Sequence, residues 1–439
     1  MSTYINPTDR YQFNLQQRAS EAYLEGVDLG KPDQIVLALV QGNNREIGQT
    51  DGFLRFTQSE AETFVEAGND TYIIDNISDL ISETSTVATE IDLVQSSVSY
   101  TLSSNLENLI LIGSTAINGF GNSLNNVLTG NADSNRLDGG IGNDTMIGGL
   151  GNDTYVVDNI DDVVIETSTL ATELDAVESS ISYTLGTNVE SLVLIGTNTI
   201  NGTGNALVNW IGGNAAANIL DGGLGADTLV GGAGNDTYIV DNIGDIVIET
   251  DASTITGGTD LVKVSIANSG GTYTLSSNLE NATLTNTVAY RLTGNAQNNV
   301  LTGNNAENTI KGYEGNDTLN GGLGRDFLIG GQGNDLFTFS SALSETNIDK
   351  ISDFLRGTDR IVLDATIFTK LLNDTNLTDN IVVRSYGTNA LDANDYLIFN
   401  SYTKALYYDA DGSGFSYKPI QFATLIDVAT VSASDFVVI

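Results

Sequence analysis

The chain has 439 residues, with 56 Asp and Glu against 17 Lys and Arg, so its formal charge at pH 7 is −39. A surface this acidic repels nucleic acid and anionic lipid and attracts divalent cations, so we expect no nucleic-acid partner. The chain contains no Cys and no His. This composition excludes disulfides, His-ligated zinc and histidine-dependent catalysis.

The remaining composition points to a folded chain that needs a stabilising device other than disulfides. Its 47 Gly and 3 Pro argue against collagen and against proline-rich disorder, and 40% hydrophobic residues allow a core. If the chain were compact and metal-free, its carboxylates would oppose folding by self-repulsion. No apolar segment at the N-terminus resembles a secretory signal, and no run of 18 apolar residues predicts a membrane span.

The first 66 residues do not join the pattern that follows. They predict a short helix near Phe13–Leu24 and a strand at Gln34–Val40. A long repeat then begins: the segments GNDTYIIDN, GNDTYVVDN and GNDTYIVDN start at Gly68, Gly151 and Gly234, 83 residues apart, and a degenerate copy starts at Gly333. Repeats of this kind build stacked architectures, so the repeat determines the fold prediction.

The first half of each long unit predicts strands. Between Val94 and Leu102 apolar and polar residues alternate with a period of two, and the run Leu109–Ile112 is apolar on both faces, as in a buried strand. The second unit repeats this pattern and ends in the run Leu192–Ile195. Glu107, Glu190 and Glu280 recur at one place in the units, and we interpret them as solvated or capping residues rather than catalytic acids.

The second half of each unit consists of nine-residue steps. They start at Gly121, Gly130, Gly139 and Gly148; at Gly204, Gly213, Gly222 and Gly231; and at Gly294, Gly303, Gly312, Gly321 and Gly330. The clearest steps share the pattern G-G-x-G-x-D-x-U-x, in which U is apolar. Six residues predict a tight turn, because glycine permits positive φ, and three predict a short strand whose U side chain points inward. The predicted inward residues are Met146, Tyr155, Leu229, Tyr238, Leu319, Leu328 and Phe337.

These tandem steps resemble the calcium-binding nonapeptide of repeats-in-toxin (RTX) proteins, over roughly residues 67–338. The resemblance implies that two steps form one coil, that steps n and n+2 stack, and that Ca²⁺ binds between stacked turns through backbone carbonyls and Asp, the hard oxygen ligands it prefers. Carried over, the metal-site residues are Gly139, Gly142, Asp144, Gly148, Gly151, Asp153, Gly222, Gly225, Asp227, Gly231, Gly234, Asp236, Gly312, Gly315, Asp317, Gly321, Gly324, Asp326, Gly330, Gly333 and Asp335. The alternative, ordinary Gly-Asn-Asp turns, is disfavoured by the strict nine-residue register.

The sixth position of the steps predicts sites of graded strength. Asp317 and Asp335 form a pair that satisfies the family pattern on both sides, whereas Asp144 is predicted to stack on Asn126 and Asp227 on Asn209. An Asn ligates through oxygen but brings no charge. We therefore expect the Asn-paired sites to be weaker, and turns that carry only Asn to stack as amide ladders without metal.

From about Ser340 the repeat stops and a β-rich region begins. Within it, Asp409–Gly414 resembles the first half of a calcium loop, but Ile420 stands where the bidentate Glu belongs, so a metal site and a plain hairpin turn both stay open. The surrounding segment resembles the C-terminal region of serralysin-like secreted proteins. The end, Asp435–Ile439, resembles a type I secretion signal, with a terminal strand as the alternative.

The sequence thus predicts an all-β chain: a parallel β-roll or β-solenoid of nonapeptide repeats with interspersed strand units and a β-rich C-terminal domain. The predicted domains are 1–66, of unknown role; 67–339, the calcium-binding solenoid, with units near 68–150, 151–233 and 234–339; and 340–439, which carries the secretion-like signal.

We expect a secreted, calcium-binding structural, adhesion or surface-layer component, at or outside the bacterial surface. Its expected partners are calcium ions, the type I secretion machinery and a cell surface or polysaccharide. The alternative is an export and stability module of a secreted protease, lipase or polysaccharide-modifying enzyme. The chain has neither HExxH nor GxSxG, so we assign no catalytic residues, but carboxylate-only chemistry stays open.

Overall fold

The computed structural model describes residues 53–55, 63–64 and 68–439, except 82, 84–85, 88, 251–256, 373–376 and 415. The helix predicted at Phe13–Leu24 and the strand predicted at Gln34–Val40 lie outside the described residues. The chain divides into two compact units, Met1–Ile195 and Gly196–Ile439. No helix within the described residues has the length and apolar character of a membrane span.

The first unit is built from short strands. They are β1 (Phe53–Arg55), β2 (Thr63–Phe64), β3 (Thr71–Ile74), β4 (Leu80–Ile81), β5 (Leu93–Ser96), β6 (Tyr100–Thr101), β7 (Asn108–Leu111), β8 (Gly119–Phe120), β9 (Val127–Thr129), β10 (Arg136–Asp138), β11 (Thr145–Ile147), β12 (Thr154–Val157), β13 (Val163–Ile165), β14 (Ala176–Ser179), β15 (Tyr183–Thr184) and β16 (Ser191–Leu194).

Consecutive strands of this unit generally alternate between two parallel sheets. One sheet has the order β1-β3-β5-β7-β9-β11-β13, and the other contains β6-β8-β10-β12-β14-β16; β2 and β4 form a separate pair. In the nonapeptide block, Val127 pairs with Thr145 and Arg136 with Thr154, a spacing of two nine-residue steps. Two steps therefore make one coil of a parallel β-solenoid, as predicted.

The second unit continues the same pattern and then changes it. Its strands are β17 (Gly202–Thr203), β18 (Trp210–Gly212), β19 (Ile219–Asp221), β20 (Thr228–Val230), β21 (Thr237–Val240), β22 (Ile246–Ile248), β23 (Leu261–Val264), β24 (Thr272–Thr274), β25 (Asn281–Leu284), β26 (Arg291–Thr293), β27 (Val300–Thr302), β28 (Thr309–Glu314), β29 (Thr318–Asn320), β30 (Phe327–Gln332), β31 (Leu336–Phe339), β32 (Asp349–Ile351), β33 (Arg360–Leu363), β34 (Ile381–Arg384), β35 (Leu397–Asn400), β36 (Ala405–Tyr408), β37 (Ile420–Leu425) and β38 (Phe436–Val438). Short 3-10 helices span Thr369–Leu371, Leu377–Asp379 and Ala433–Asp435.

Parallel stacking in the second unit gives way to antiparallel pairing near the C-terminus. The long sheet runs β17-β19-β21-β23-β25-β27-β29-β31-β33-β38, and the facing strands form β18-β20-β22 and β24-β26-β28-β30-β32-β37-β36-β35-β34. Strands β35, β36 and β37 pair antiparallel. The β-rich C-terminal region predicted from about Ser340 is thus present, and it extends the solenoid sheets.

The interior of the solenoid is lined by apolar side chains that stack from coil to coil. All seven predicted inward residues, from Met146 to Phe337, are fully buried. A single coil cannot bury its own apolar side chains, so each coil relies on the coils stacked on either side.

The structure corrects two predictions for the first half of the long unit. The alternating segment between Val94 and Leu102 is two strands, β5 and β6, in different sheets, because the chain turns at residues 97–99. The run Leu109–Ile112 is buried on one face only: Leu109 and Leu111 face the core, while Ile110 and Ile112 are partly exposed. A two-sheet solenoid has no layer outside its sheets, so one face of each strand stays open to solvent.

The last residues form a strand, as the alternative prediction stated. Strand β38 pairs in parallel with β33, in the register Ile361↔Phe436. The carboxylate of Asp435 accepts a hydrogen bond of 3.0 Å from Arg356 Nε and is buried. The secretion-like terminal segment is therefore integrated into the fold.

Candidate metal centres

Each nonapeptide turn requires glycine for steric as well as conformational reasons. A Cβ on the first glycine of a step would collide with the carboxylate of the Asp five residues later, as at Gly139, Gly148 and Gly330. The fourth glycine has positive φ, for example +115° at Gly151, where a Cβ would also lie 2.7 Å from the backbone carbonyl carbon of Asp133 in the stacked turn. The backbones of stacked turns therefore lie in direct contact, with no room for a Cβ between them.

The backbone N–H of the sixth residue of a step donates to the Asp carboxylate 18 residues later, which joins one coil to the next. Asn126 N donates to Asp144 Oδ1 over 2.7 Å, Asn135 N to Asp153 Oδ1 over 2.8 Å, and Asp317 N to Asp335 Oδ1 over 2.9 Å. The same bond joins Asn209 to Asp227, Asn218 to Asp236, Asn299 to Asp317 and Asn308 to Asp326. The predicted stacking pairs are thus brought together.

The other carboxylate oxygen of every predicted aspartate has no partner. Oδ2 is buried without a hydrogen bond in Asp144, Asp153, Asp227, Asp236, Asp317, Asp326 and Asp335, and these side chains are at most 1% exposed. Burial raises the pKa of Asp317 to about 7 and that of Asp335 to about 6. A buried carboxylate without a partner is strongly destabilising, and a hard cation supplies the missing partner. The residues present therefore fit calcium.

In most Asn turns, by contrast, protein groups bond both the oxygen and the nitrogen of the side-chain amide. Asn126 Oδ1 accepts from Asn122 N over 2.7 Å, while Nδ2 donates to the carbonyls of Leu106 and Glu107 over 2.9 and 3.1 Å. Asn135, Asn218 and Asn299 likewise use both ends of their amides. At Asn308 only Oδ1 is bonded, and Nδ2 has no partner.

This arrangement changes the predicted role of the Asn turns. Every Asn at the sixth position of the described steps stacks on an Asp, so the expected all-Asn amide ladder does not occur there. The amide N–H groups instead bond backbone carbonyls of the preceding coil. The Asn amide thus bonds the backbone carbonyls of the preceding coil. At an Asp turn, by comparison, one carboxylate oxygen is left for a cation.

Sequence reasoning missed three groups of buried carboxylates. They are Asp70, Glu83 and Asp92; Asp153, Glu166 and Asp175; and Asp236, Glu249 and Asp260, and in each group one oxygen per residue lies within 4.8 Å of the others. The pKa of Asp175 and that of Asp260 are raised to about 7, mainly by burial and in part by the neighbouring carboxylates. The available signal was the recurrence of these acids, each after 83 residues except Asp260, which follows Asp175 by 85.

The recurrent glutamates act as caps, as predicted. Glu107 Oε2 accepts a hydrogen bond from Asp92 N, Glu190 Oε2 from Asp175 N, and Glu280 Oε2 from Asp260 N, each over 2.9 Å. They occupy the place in the next coil that Asp or Asn occupies elsewhere in the same column.

The C-terminal acidic loop connects the antiparallel strands β36 and β37. Asp411 Oδ2 accepts from the backbone N–H groups of Ser416 and Tyr417, over 2.8 and 3.2 Å, which closes the turn. Asp409 is buried, and burial raises its pKa to about 6.

Comparison with known proteins agrees with this geometry. The model of the RTX calcium-binding nonapeptide repeat matches four times, at residues 120–155, 203–238, 291–313 and 302–337, and these matches cover the blocks in which the Asp turns lie. No curated protein matches the chain. The chain therefore carries calcium-binding nonapeptide repeats of the RTX type.

Proposed function

We propose that this protein is a secreted, calcium-stabilised solenoid that serves as an extracellular structural, adhesion or surface-layer component. The observation that carries the proposal is the set of buried, unpartnered Asp Oδ2 atoms, one in each predicted Asp turn. Repeated along the solenoid, such sites make the rigidity of the whole molecule depend on the calcium concentration around it.

The proposed ligands are the carboxylates and turn glycines assigned from the sequence. In each step the Asp would supply charge, and the two glycines would allow backbone carbonyls of stacked turns to approach. Bound calcium supplies positive charge between carboxylates that otherwise repel one another. The chain's own contribution is to fix Asp Oδ1 by the inter-coil hydrogen bond, which leaves Oδ2 buried without a partner.

Calcium binding to the folded state would couple folding to location. At a calcium concentration a hundred times the dissociation constant, each site adds about 2.7 kcal/mol of stability. In a cytosol with scarce free calcium, the charge of −39 would keep the chain expanded, which suits passage through a type I secretion channel. Outside the cell, abundant calcium would drive folding.

The experiment that tests this function follows the protein through cell, surface and medium fractions of the producing bacterium, with and without a calcium chelator. We expect the protein on the surface in calcium and its release by chelator. Its presence as a soluble medium protein with hydrolytic activity would instead support the export module of a secreted enzyme. Retention in the cytoplasm in both conditions would contradict both proposals.

A further inference from the structure

The three buried acidic groups occupy equivalent places in successive 83-residue units. We call them the junction clusters: Asp70, Glu83 and Asp92; Asp153, Glu166 and Asp175; Asp236, Glu249 and Asp260. Except for Asp70, which is partly buried, every member is at most 6% exposed. Each cluster lies within one compact unit of the chain.

The fold builds each cluster from three neighbouring strands. In the second cluster, Asp153 precedes β12 and Asp175 precedes β14, and these strands pair in parallel with Thr154 opposite Ala176. Asp153 N donates to Asp175 Oδ1 over 2.7 Å. Glu166 follows β13, which belongs to the facing sheet. Three carboxylates thus approach one another from both sheets.

A buried tyrosine orients the glutamate in every cluster. Tyr155 OH donates to Glu166 Oε2 over 2.7 Å, and the corresponding bonds of Tyr72 to Glu83 and Tyr238 to Glu249 measure 3.1 and 2.9 Å. An Asn in the left-handed conformation also holds each glutamate backbone: Asn105, Asn188 and Asn278 donate to the carbonyl oxygens of Glu83, Glu166 and Glu249.

A second observation is that one aspartate oxygen in each cluster lacks a partner. Oδ2 of Asp70, Asp153 and Asp236 is buried without a hydrogen bond. At Gly148 and Gly231 a Cβ would collide with both this oxygen and the tyrosine hydroxyl, so glycine keeps the space between them free. Neither ion pair recorded among the described residues, Arg136–Glu178 or Arg356–Asp435, involves a cluster member.

The fourth copy of the motif supplies an internal comparison. Asp335 corresponds to Asp153, but Phe337 replaces the tyrosine and Ile348 stands thirteen residues after the Asp, where the glutamate belongs. No such three-carboxylate group is found at Asp335 among the described residues. The tyrosine and the glutamate are therefore present together or absent together, as expected of parts of one site.

We propose that each junction cluster binds one divalent cation, calcium, through carboxylate oxygens of two aspartates and one glutamate. Three hard, anionic oxygen donors match the preference of calcium. The sites share Asp153 and Asp236 with the nonapeptide turns, but they differ from the Asp317–Asp335 pair because they add a glutamate from the facing sheet. The choice of calcium rests on the proposed function; the existence of the sites rests on the clusters themselves.

Counting bound ions on the full chain tests this proposal. The variant Glu83→Gln/Glu166→Gln/Glu249→Gln removes one carboxylate from each cluster and retains the shape of the side chain. The matched control, Asp161→Asn/Glu314→Gln/Glu345→Gln, removes the same charge from three exposed side chains outside the clusters. Native mass spectrometry in calcium gives the stoichiometry, and far-UV circular dichroism verifies the fold.

We expect the cluster variant to lose three calcium ions per chain and the control to lose none, with both retaining the β-rich spectrum in calcium. If the triple variant does not fold, the single variant Glu166→Gln is expected to lose one ion. An unchanged ion count in a folded cluster variant overturns the junction sites while calcium-dependent folding still stands. Absence of bound calcium from the wild-type chain instead overturns the proposed function as well.

Discussion

Two stacked turns of one column, at Asn135 and Asp153, differ by a single functional group and illustrate two ways to close a coil. Asn135 uses its amide to bond Asn131 N and the carbonyl of Ile117. Asp153 Oδ1 instead accepts from Asn135 N in the preceding coil, and its Oδ2 stays unpartnered and buried. The amide closes the turn with protein atoms, whereas the carboxylate needs a cation. We therefore expect calcium dependence to be concentrated in the later steps of each block.

The largest effect is expected where the shared turn geometry itself is broken. Gly151→Ala introduces a Cβ at positive φ against the backbone of the stacked turn. Backbone strain alone costs about 1–3 kcal/mol, and the collision adds to it. Urea unfolding in calcium should show this loss, whereas Gly186→Ala, whose nearest contact is 3.8 Å away, should change the unfolding free energy little. Equal effects of both variants would contradict the stacking described.

Exchanging the functional group between the turns sharpens the comparison. Asn299→Asp removes the donors to the carbonyls of Leu279 and Glu280 and buries a second charge near Asp317. In chelator we expect a loss of about 1–3 kcal/mol of unfolding free energy for this variant. The reciprocal Asp335→Asn should be neutral or stabilising in chelator and should lower calcium affinity. The opposite order of stability in chelator would refute the assignment of roles.

The thermal stability of the calcium-free protein should depend on pH differently from that of the calcium-bound protein. Burial raises the pKa of Asp144 and Asp227 to about 6 and that of Asp153 and Asp317 to about 7. Because the folded-state pKa lies above the unfolded value, these groups stabilise the fold at low pH, and that contribution disappears as pH rises towards 7. Thermal melts in chelator should therefore show a falling Tm between pH 4 and pH 7.

Calcium should remove this decline, because bound ions favour the ionised carboxylates. Thermal melts over the same pH range in millimolar calcium provide the control. A Tm that rises with pH in chelator would mean that the aspartates are not destabilised when ionised, and would count against the cation requirement.

The smallest expected effect concerns the tyrosine that orients the junction glutamate. Tyr155→Phe removes the hydrogen bond to Glu166 Oε2, and Phe337 shows that a phenylalanine ring is buried at the equivalent position of the fourth copy. We expect a loss of about 0.5–1.5 kcal/mol, measured by chemical unfolding in calcium. Phe337→Tyr is the matched control, since no glutamate recurs there, and it should gain no stability.

The coil was predictable from the sequence because its period is local. Nine-residue spacing placed Met146, Tyr155 and Phe337 in the interior, and each is fully buried. The break between β5 and β6 was not predictable, since the alternation from Val94 to Leu102 continues through a turn that only the change of sheet reveals. The junction clusters were not predicted for a similar reason. Asp153, Glu166 and Asp175 come together only through the relative register of strands in two facing sheets.

The dependence of the folded state on calcium is tested most directly by far-UV circular dichroism and thermal melting of the full chain, in chelator and in millimolar calcium. The account predicts a β-rich spectrum with a cooperative transition in calcium, and a weaker β-rich signal with a much lower Tm in chelator at pH 7. An identical β-rich spectrum with an identical Tm in both conditions would contradict it, since the buried aspartates would then need no ion.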